Sequence, residues 1–173
     1  DSYDGRNKEP VVLPSKMPLS LLFGAEGIAV GMSTRILPHN INEIIDAQIA
    51  FLQNKSFKLL PDFLSGGMLD ASEYEDGNGK VRVRAKIDIT DDKLLTVREL
   101  PFGVTTESLI QSIQDAVNKG KFKLSSIDNF TAEAVEIELK IARGMNAEKL
   151  LKLLYAYTQC EISISVNMLL IQD

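Results

Sequence analysis

The chain has 173 residues and carries 19 Lys and Arg against 24 Asp and Glu, for a formal net charge of −5. This length suits one domain with at most a small appendage, and no apolar run reaches the roughly 18 residues that a membrane-spanning helix needs. The single cysteine, Cys160, excludes an intramolecular disulfide and a multi-cysteine zinc site. We therefore expect a globular domain from a reducing, cytoplasmic compartment, with Cys160 as a packed thiol. Because the first residue is Asp1 rather than Met, we also expect a segment of a longer protein.

The charge is unevenly distributed along the chain. Residues 1–60 hold six basic and six acidic residues, so the acidic excess lies entirely in residues 61–173. A neutral first part can still present a local basic edge, because salt screens exposed charges beyond about 8 to 10 Å. The overall composition does not favour nucleic-acid binding.

Residues 1–39 are rich in glycine and proline and carry only short apolar stretches. This pattern predicts an irregular, packed segment with brief strands rather than a linker, because a linker would be polar. A helix then begins after Asn40, which can cap it, with Glu43 three residues further on as in a capping box. Residues at helical spacing predict one buried apolar stripe on this helix. Its members are Ile41, Ile44, Ile45, Ile49 and Leu52.

From residue 80 onward the apolar pattern predicts the order β-β-α-β-β-α-β. The strands are expected at 81–89, 94–100, 122–130, 135–141 and 162–166, and the helices at 105–119 and 146–158. Asp91 and Asp92 lie between the first two strands and are interpreted as turn residues rather than metal ligands. The sequence therefore predicts an α+β fold in which one antiparallel or mixed sheet carries helices on one face.

The polar face of strand 81–89 is basic, whereas that of strand 135–141 is largely acidic. If the two strands are neighbours, Arg82 or Arg84 would pair with Glu136 or Glu138. Each such pair contributes roughly 0.2 to 1 kcal/mol. If the arginines bind a ligand instead, these glutamates should point elsewhere.

The stretch GAEGIAVGMSTRILPHN, residues 24–40, lacks the glycine spacing of a nucleotide-binding loop. At its end Ile36 stands near Pro38, flanked by Arg35 and His39, just before the start of a helix. Architectural DNA-binding proteins insert such apolar side chains between base pairs, with cations nearby on the phosphates. The structural alternative is that Ile36 packs onto the core beneath its loop.

The segment from Tyr3 to Asn40, YDGRNKEPVVLPSKMPLSLLFGAEGIAVGMSTRILPHN, resembles the A subunits of DNA gyrase and bacterial topoisomerase IV, which are type IIA DNA topoisomerases. The similarity continues through PDFLSGG, GKVRVRAKI, VRELPFGV and YAYTQCEISISVNM, so it covers essentially the whole chain. It implies the start of the tower domain, after the winged-helix domain of the breakage-reunion core. The ending YAYTQCEISIS favours a topoisomerase-IV-type protein, and gyrase is the alternative.

The resemblance implies a DNA-bending role for the isoleucine of the I-x-P-H-N element. In this sequence that residue is Ile36, which would insert into the DNA while Pro38 braces the turn. Arg35, His39 and Asn40 would then lie at the DNA phosphates.

The resemblance also implies DNA contacts from a basic strand and, more weakly, from the PSKMP turn. The residues concerned are Lys80, Arg82, Arg84 and Lys16. For Arg82 and Arg84, an ion-pair role within the fold is the alternative. Residues 1–39 would form the DNA-facing start of the tower and residues 40–173 its α+β body, within a single domain.

The family's nucleophile is a tyrosine that directly follows an arginine, and none of the four tyrosines here does so. The resemblance therefore implies a segment without a catalytic residue and without its own metal or cofactor. In the complete enzyme, two copies of the A subunit form a homodimer, ATP and Mg²⁺ are expected on the partner B subunit, and double-stranded DNA is broken, passed and rejoined in the nucleoid. The competing hypothesis is a non-catalytic α+β interaction or scaffold module without DNA activity, which the acidic charge balance favours.

Overall fold

The computed structural model describes residues 1–11 and 13–171. The helices of this part are α1 (Leu19–Phe23), α2 (Ile41–Leu52), α3 (Thr106–Asn118) and α4 (Ala147–Tyr157). The strands are β1 (Ala25–Ala29), β2 (Met32–Ile36), β3 (Met68–Asp70), β4 (Lys80–Arg84), β5 (Lys86–Asp91), β6 (Leu94–Glu99), β7 (Leu124–Asn129), β8 (Ile137–Ile141) and β9 (Glu161–Ser165). No helix within these residues is long and apolar enough to cross a membrane.

The strands form three antiparallel sheets with the orders β1-β2, β3-β4-β9 and β5-β6-β8-β7. The α+β class predicted from the sequence is thereby confirmed, but the expected single sheet is wrong. The predicted strand 81–89 divides at Ala85, so that β4 and β5 enter different sheets. The Ala85 N–H donates to the carbonyl of Cys160 at 2.7 Å, and the Ala85 carbonyl accepts from the Tyr155 hydroxyl at 3.1 Å. The bond to Cys160 continues the β4–β9 register by one residue, and beyond it the chain enters the other sheet.

The four-stranded sheet and helices α3 and α4 share the larger hydrophobic core. Thr105 caps α3 in a reciprocal capping box with Ser108, and Asn146 caps α4 through the amides of Glu148 and Lys149. Both helices therefore begin close to where the sequence predicts. Their apolar faces pack on the sheet with side chains that are 0 % exposed, including Leu109, Ile113, Leu150, Leu154, Leu95, Val97, Ile137 and Leu139.

The three-stranded sheet forms a second, smaller core. Its buried members include Leu37, Phe63, Tyr74, Val81, Val83, Ile164 and Val166. Phe63 stacks on Phe102 with ring centroids 4.6 Å apart. Because Leu37 directly follows β2 and is only 2 % exposed, this core holds the end of the β1–β2 hairpin.

Helix α2 differs from the sequence-based prediction. Asn40 is its N-cap, as expected, and accepts from the Asn42 N–H at 2.9 Å, but no capping-box bond from Glu43 accompanies it. Of the predicted apolar stripe only Ile44 is buried, together with Ala47. The other members of the stripe are 40 to 80 % exposed, so the buried face is narrower than the pattern predicts.

Candidate nucleic-acid interface

The first functional feature is the β1–β2 hairpin, where the sequence predicts irregular structure with brief strands. Its register runs from Ala25 opposite Ile36 to Ala29 opposite Met32, with Val30 and Gly31 forming the turn. Gly31 has φ +77°, a conformation that residues with side chains rarely adopt. The ribbon is therefore regular and ends in a tight two-residue turn.

Three apolar side chains at the end of this hairpin are open to solvent. Ile28 is 86 % exposed, Val30 100 % and Met32 51 %. We call these three residues the apolar tip. The stretch from residue 27 to 34 carries no charged side chain, and the nearest charges are Glu26 and Arg35, 3.7 Å apart at the base of the hairpin. The tip is thus a narrow apolar projection bordered by one ion pair.

Ile36 lies at the opposite end of β2 from the apolar tip. It is 4 % exposed, and Gly24 passes so close that a Cβ there would lie 2.7 Å from the Ile36 carbonyl oxygen. A side chain that enters DNA must be accessible, so the sequence-based assignment of the wedge to Ile36 is corrected by this burial. Ile36 packs beneath its loop, which is the structural alternative considered above.

His39 and Asn40 are engaged inside the protein rather than presented to a ligand. The Nδ1–H of His39 donates to the carbonyl of Leu21 at 3.0 Å, which leaves Nε2 to accept from the Tyr74 hydroxyl at 3.3 Å. His39 is 5 % exposed, and burial lowers its pKa, so the ring is neutral and carries no charge for a phosphate. Asn40 caps α2 and also donates from Nδ2 to Asp62 at 3.0 Å.

The remaining positions predicted near the hairpin differ in accessibility. Pro38 is half-buried, and its carbonyl accepts from the Asp62 N–H at 3.0 Å, which fits a bracing role. Arg35 and Lys16 are exposed. Of the residues expected at phosphates around the hairpin, these two cations are the ones whose charged groups face solvent.

The second feature is the polar face of β4, which carries Lys80, Arg82 and Arg84. Burial alternates along this strand, with Val81 and Val83 inside and the three cations outside, as the sequence predicts. The charged side chains are 45 to 50 % exposed. We call these three cations the basic row.

Every cation of the basic row faces a carboxylate of a neighbouring segment. Lys80 Nζ lies 2.8 Å from Glu73, and Arg82 lies 3.3 Å from Asp70 and 3.7 Å from Glu73. Arg84 pairs with Glu161 on β9, and the hydrogen bond from Arg84 to Glu161 raises the pKa of Arg84. Three cations therefore meet three carboxylates, and the formal charges of this set cancel.

The alternative pairing of Arg82 or Arg84 with Glu136 or Glu138 is wrong. Strand β4 lies between β3 and β9, whereas β8 belongs to the other sheet. Glu136 instead accepts from Arg98 at 2.9 Å. Arg82 and Arg84 do form ion pairs within the fold, but their partners are Asp70, Glu73 and Glu161. The prediction of a single sheet did not bring these carboxylates next to β4.

Other reactive groups of the described residues lie in structural environments. No group of three or more His, Cys, Asp or Glu in residues 1–11 and 13–171 is arranged to hold a metal ion. Burial raises the pKa of Cys160 to about 11, so its thiol is protonated at neutral pH. Asp91 accepts from the Lys93 N–H at 2.6 Å in the β5–β6 turn, in keeping with the predicted turn role.

Comparison with known proteins agrees with the resemblance. The family model for the A subunits of DNA gyrase and topoisomerase IV matches residues 1–173. The A subunit of DNA topoisomerase 4 from Borreliella burgdorferi is 56 % identical over 99 % of this chain and 28 % of its own length. The DNA gyrase A subunits of Buchnera aphidicola and Leptospira biflexa are 38 % and 32 % identical over 96 % and 99 % of this chain, and over 22 % and 23 % of their own lengths.

The chain belongs to the family of DNA gyrase and topoisomerase IV A subunits. It spans about a quarter of the length of the curated relatives that it matches.

Proposed function

We propose that this chain is the DNA-bending part of the A subunit of a type IIA topoisomerase, with a wedge supplied by the apolar tip and led by Ile28. The exposure of Ile28 is the observation that carries the proposal. A β-branched side chain has few rotamers, so its shape is set before it meets DNA. Residue 28 lies on a hydrogen-bonded ribbon, which adds to this rigidity.

The energetics of insertion favour an apolar residue at this place. Sharp bending of a 20 to 30 base-pair site costs on the order of 1 to 10 kcal/mol. Burying one large aliphatic side chain stabilises the complex by roughly 1.5 to 3 kcal/mol, which opposes the cost of partly unstacking the base step that the wedge enters. Burial of the tip can therefore offset part of the free-energy cost of bending, and contacts between cations and phosphates offset the remainder.

Arg35 and Lys16 are proposed to contact phosphates near the wedge, and the basic row to contact the outer arms of the bent DNA. Family membership supports this arrangement, as does the exposure of these side chains. His39 and Asn40 contribute indirectly, because they fix the base of the hairpin and the start of α2.

In the complete enzyme this part is proposed to support ATP-dependent double-strand breakage, passage and rejoining in the cytoplasmic nucleoid. The catalytic tyrosine is placed outside this chain, and ATP and Mg²⁺ on a partner B subunit of an A₂B₂ assembly. The higher identity with the topoisomerase 4 protein of Borreliella burgdorferi than with the two gyrase proteins supports a topoisomerase IV assignment.

The decisive experiment measures DNA bending by energy transfer between the ends of a labelled duplex, with the full-length protein carrying Ile28→Ala. We expect a loss of the bent state of about tenfold or more, because the lost burial is worth more than about 1.4 kcal/mol. Ile49→Ala is the matched control, since Ile49 is a half-exposed isoleucine on α2, outside the hairpin. It should leave the bend unchanged.

Two further outcomes bear on the assignment. Ile36→Val shortens the buried isoleucine by one methyl group and should leave the bent fraction unchanged, whereas a loss equal to that of Ile28→Ala would return the wedge to Ile36. If Ile28→Ala bends and cleaves DNA like the wild type, the apolar tip has no wedge role, and a scaffold function without DNA bending becomes the better account.

A further inference from the structure

A short segment after β9 connects the two features of the candidate interface. The N–H groups of Val166 and Met168 donate to the carbonyls of Gly79 and Gly77, each at 2.8 Å. Gly77 and Gly79 closely precede β4, which carries the basic row. We call residues 166–169 the strap.

The other side of the strap holds the hairpin. Asn167 exchanges both backbone hydrogen bonds with Arg35, at 2.8 and 3.1 Å. The backbone hydrogen bonds of the strap therefore alternate in direction. Val166 and Met168 bond to the segment just before β4, and Asn167 between them bonds to β2. Since β9 pairs with β4 from Ser165 to Glu161, the strap extends a strand that is already fixed to the three-stranded sheet.

Two side chains strengthen the hairpin side of the strap. The Asn167 side-chain amide donates to the Ser33 carbonyl at 2.6 Å. The Thr34 hydroxyl donates to the Asn167 carbonyl at 3.1 Å and accepts from the Leu169 N–H at 3.2 Å. The hairpin thus gains three hydrogen bonds beyond the backbone pair, all within a few residues of the apolar tip.

We propose that Thr34 and Asn167 are positioning residues, which hold the hairpin at a fixed orientation relative to the basic row. This inference rests on the proposed function of the tip and extends it to residues that do not themselves touch DNA. An isolated two-stranded ribbon is marginally stable at best in water, so an exposed wedge needs an external anchor to keep its direction. Within the described residues, the strap is the segment whose backbone pairs with the hairpin.

Local packing agrees with a rigid strap. Gly77 has φ +94°, and a Cβ at this position would lie 3.0 Å from Met168. On the hairpin side, Leu169 and Ile171 line the same shallow depression as Ile28 and Met32. The strap is therefore closely packed on the Gly77 side and borders an open apolar depression on the hairpin side.

The test compares Thr34→Val with Thr34→Ser in the full-length protein. Valine keeps the β-branched shape but loses both hydroxyl bonds, whereas serine keeps the hydroxyl. For Thr34→Val we expect about two- to fivefold faster hydrogen exchange at the Leu169 amide, which keeps the Asn167 carbonyl as its second acceptor at 3.1 Å, and a several-fold smaller bent fraction of end-labelled DNA. DNA affinity through the cations should change by less than about threefold, and Thr34→Ser should behave like the wild type.

Thr90→Val serves as the control, because Thr90 also has a hydroxyl bond, to Thr96 at 2.9 Å, but in the four-stranded sheet. Thermal unfolding of each variant shows whether the fold is intact. Equal loss of bending in Thr34→Val and Thr34→Ser, or none in Thr34→Val, would overturn the positioning role.

Ile28→Ala, measured beside these variants, separates the two proposals. If Ile28→Ala loses bending while Thr34→Val retains it, the strap inference fails and the wedge stands. If Ile28→Ala retains bending, the wedge itself fails.

Discussion

The β1–β2 hairpin and the four-stranded sheet are both paired antiparallel, but they differ in whether their large apolar side chains are buried. In the sheet, Leu95, Val97, Ile137 and Leu139 are 0 % exposed and packed under α3 and α4. In the hairpin, Ile28 and Val30 are almost fully exposed. These two exposed side chains therefore contribute little to folding stability, which does not account for their apolar character. The proposed wedge role does account for it.

The largest expected difference between the two regions is in the free energy of unfolding. Leu139→Ala should lower it by about 2 to 5 kcal/mol, because it removes a fully buried side chain and leaves a cavity. Val30→Ala should change it by less than about 0.5 kcal/mol, because Val30 is 100 % exposed. Urea unfolding followed by circular dichroism measures both. Losses of similar size would mean that the tip packs on other residues and is not a free projection.

The sequence predicts regions of the sheet and helices better than it predicts the candidate site. The alternation of apolar and polar residues predicts β8, and the capping residues predict the starts of α3 and α4. Both signals come from residues that are close together in the chain. The division of strand 81–89 could not be predicted, since it depends on bonds from Ala85 to Cys160 and Tyr155, far away in sequence.

The accessible isoleucine could not be identified for the same reason. Ile36 and Ile28 look alike in a sequence, and only the core around Leu37 and the strap at Asn167 decide which of them is covered. A useful local indication was present in GIAVGM. Its large apolar residues, separated by small residues around a glycine turn, are typical of a hairpin whose end carries apolar side chains and no charge.

A smaller effect is expected in the pH dependence of the free energy of unfolding, through the buried His39 just after the hairpin. His39 connects α1 with Tyr74 of the smaller core, and burial lowers its pKa below the usual 6.5. Well above pH 6.5 the imidazole is neutral in both the folded and the unfolded state. As the pH falls below 6.5, the unfolded ring takes up a proton that the folded ring resists, so the free energy of unfolding should decrease.

The slope cannot exceed about 1.4 kcal/mol per pH unit for one group. His39 is the single histidine of the chain, so a window of about pH 5.5 to 6.5 isolates its contribution from the carboxylates, which titrate lower. His39→Gln should abolish the slope in this window. An unchanged slope in the variant would show that another group titrates there and that His39 is not held neutral by the fold.

The smallest expected effect concerns the contrast between the apolar tip and the basic row. In the proposed complex the apolar tip has no ion pair to break, whereas the cations of the basic row would first have to separate from their carboxylates. Glu73 lies 2.8 Å from Lys80 and 3.7 Å from Arg82, so Glu73→Gln should free Lys80, leave Arg82 with Asp70 alone at 3.3 Å and remove one repulsive charge. Because exposed pairs are worth only about 0.2 to 1 kcal/mol, we expect duplex DNA to bind roughly two- to fivefold more tightly.

The salt dependence of binding gives the sharper measurement. If the freed cation reaches a phosphate, the slope of log affinity against log salt should steepen by about 0.9 for each new contact. Glu136→Gln is the matched control, since it removes one of the two carboxylates that face Arg98 on the other sheet, by the same change of charge. A gain that is equal in both variants reflects net charge alone, and then the basic row has no special part in binding. A gain confined to Glu73→Gln would mean that this carboxylate limits how strongly the surface around β4 holds DNA.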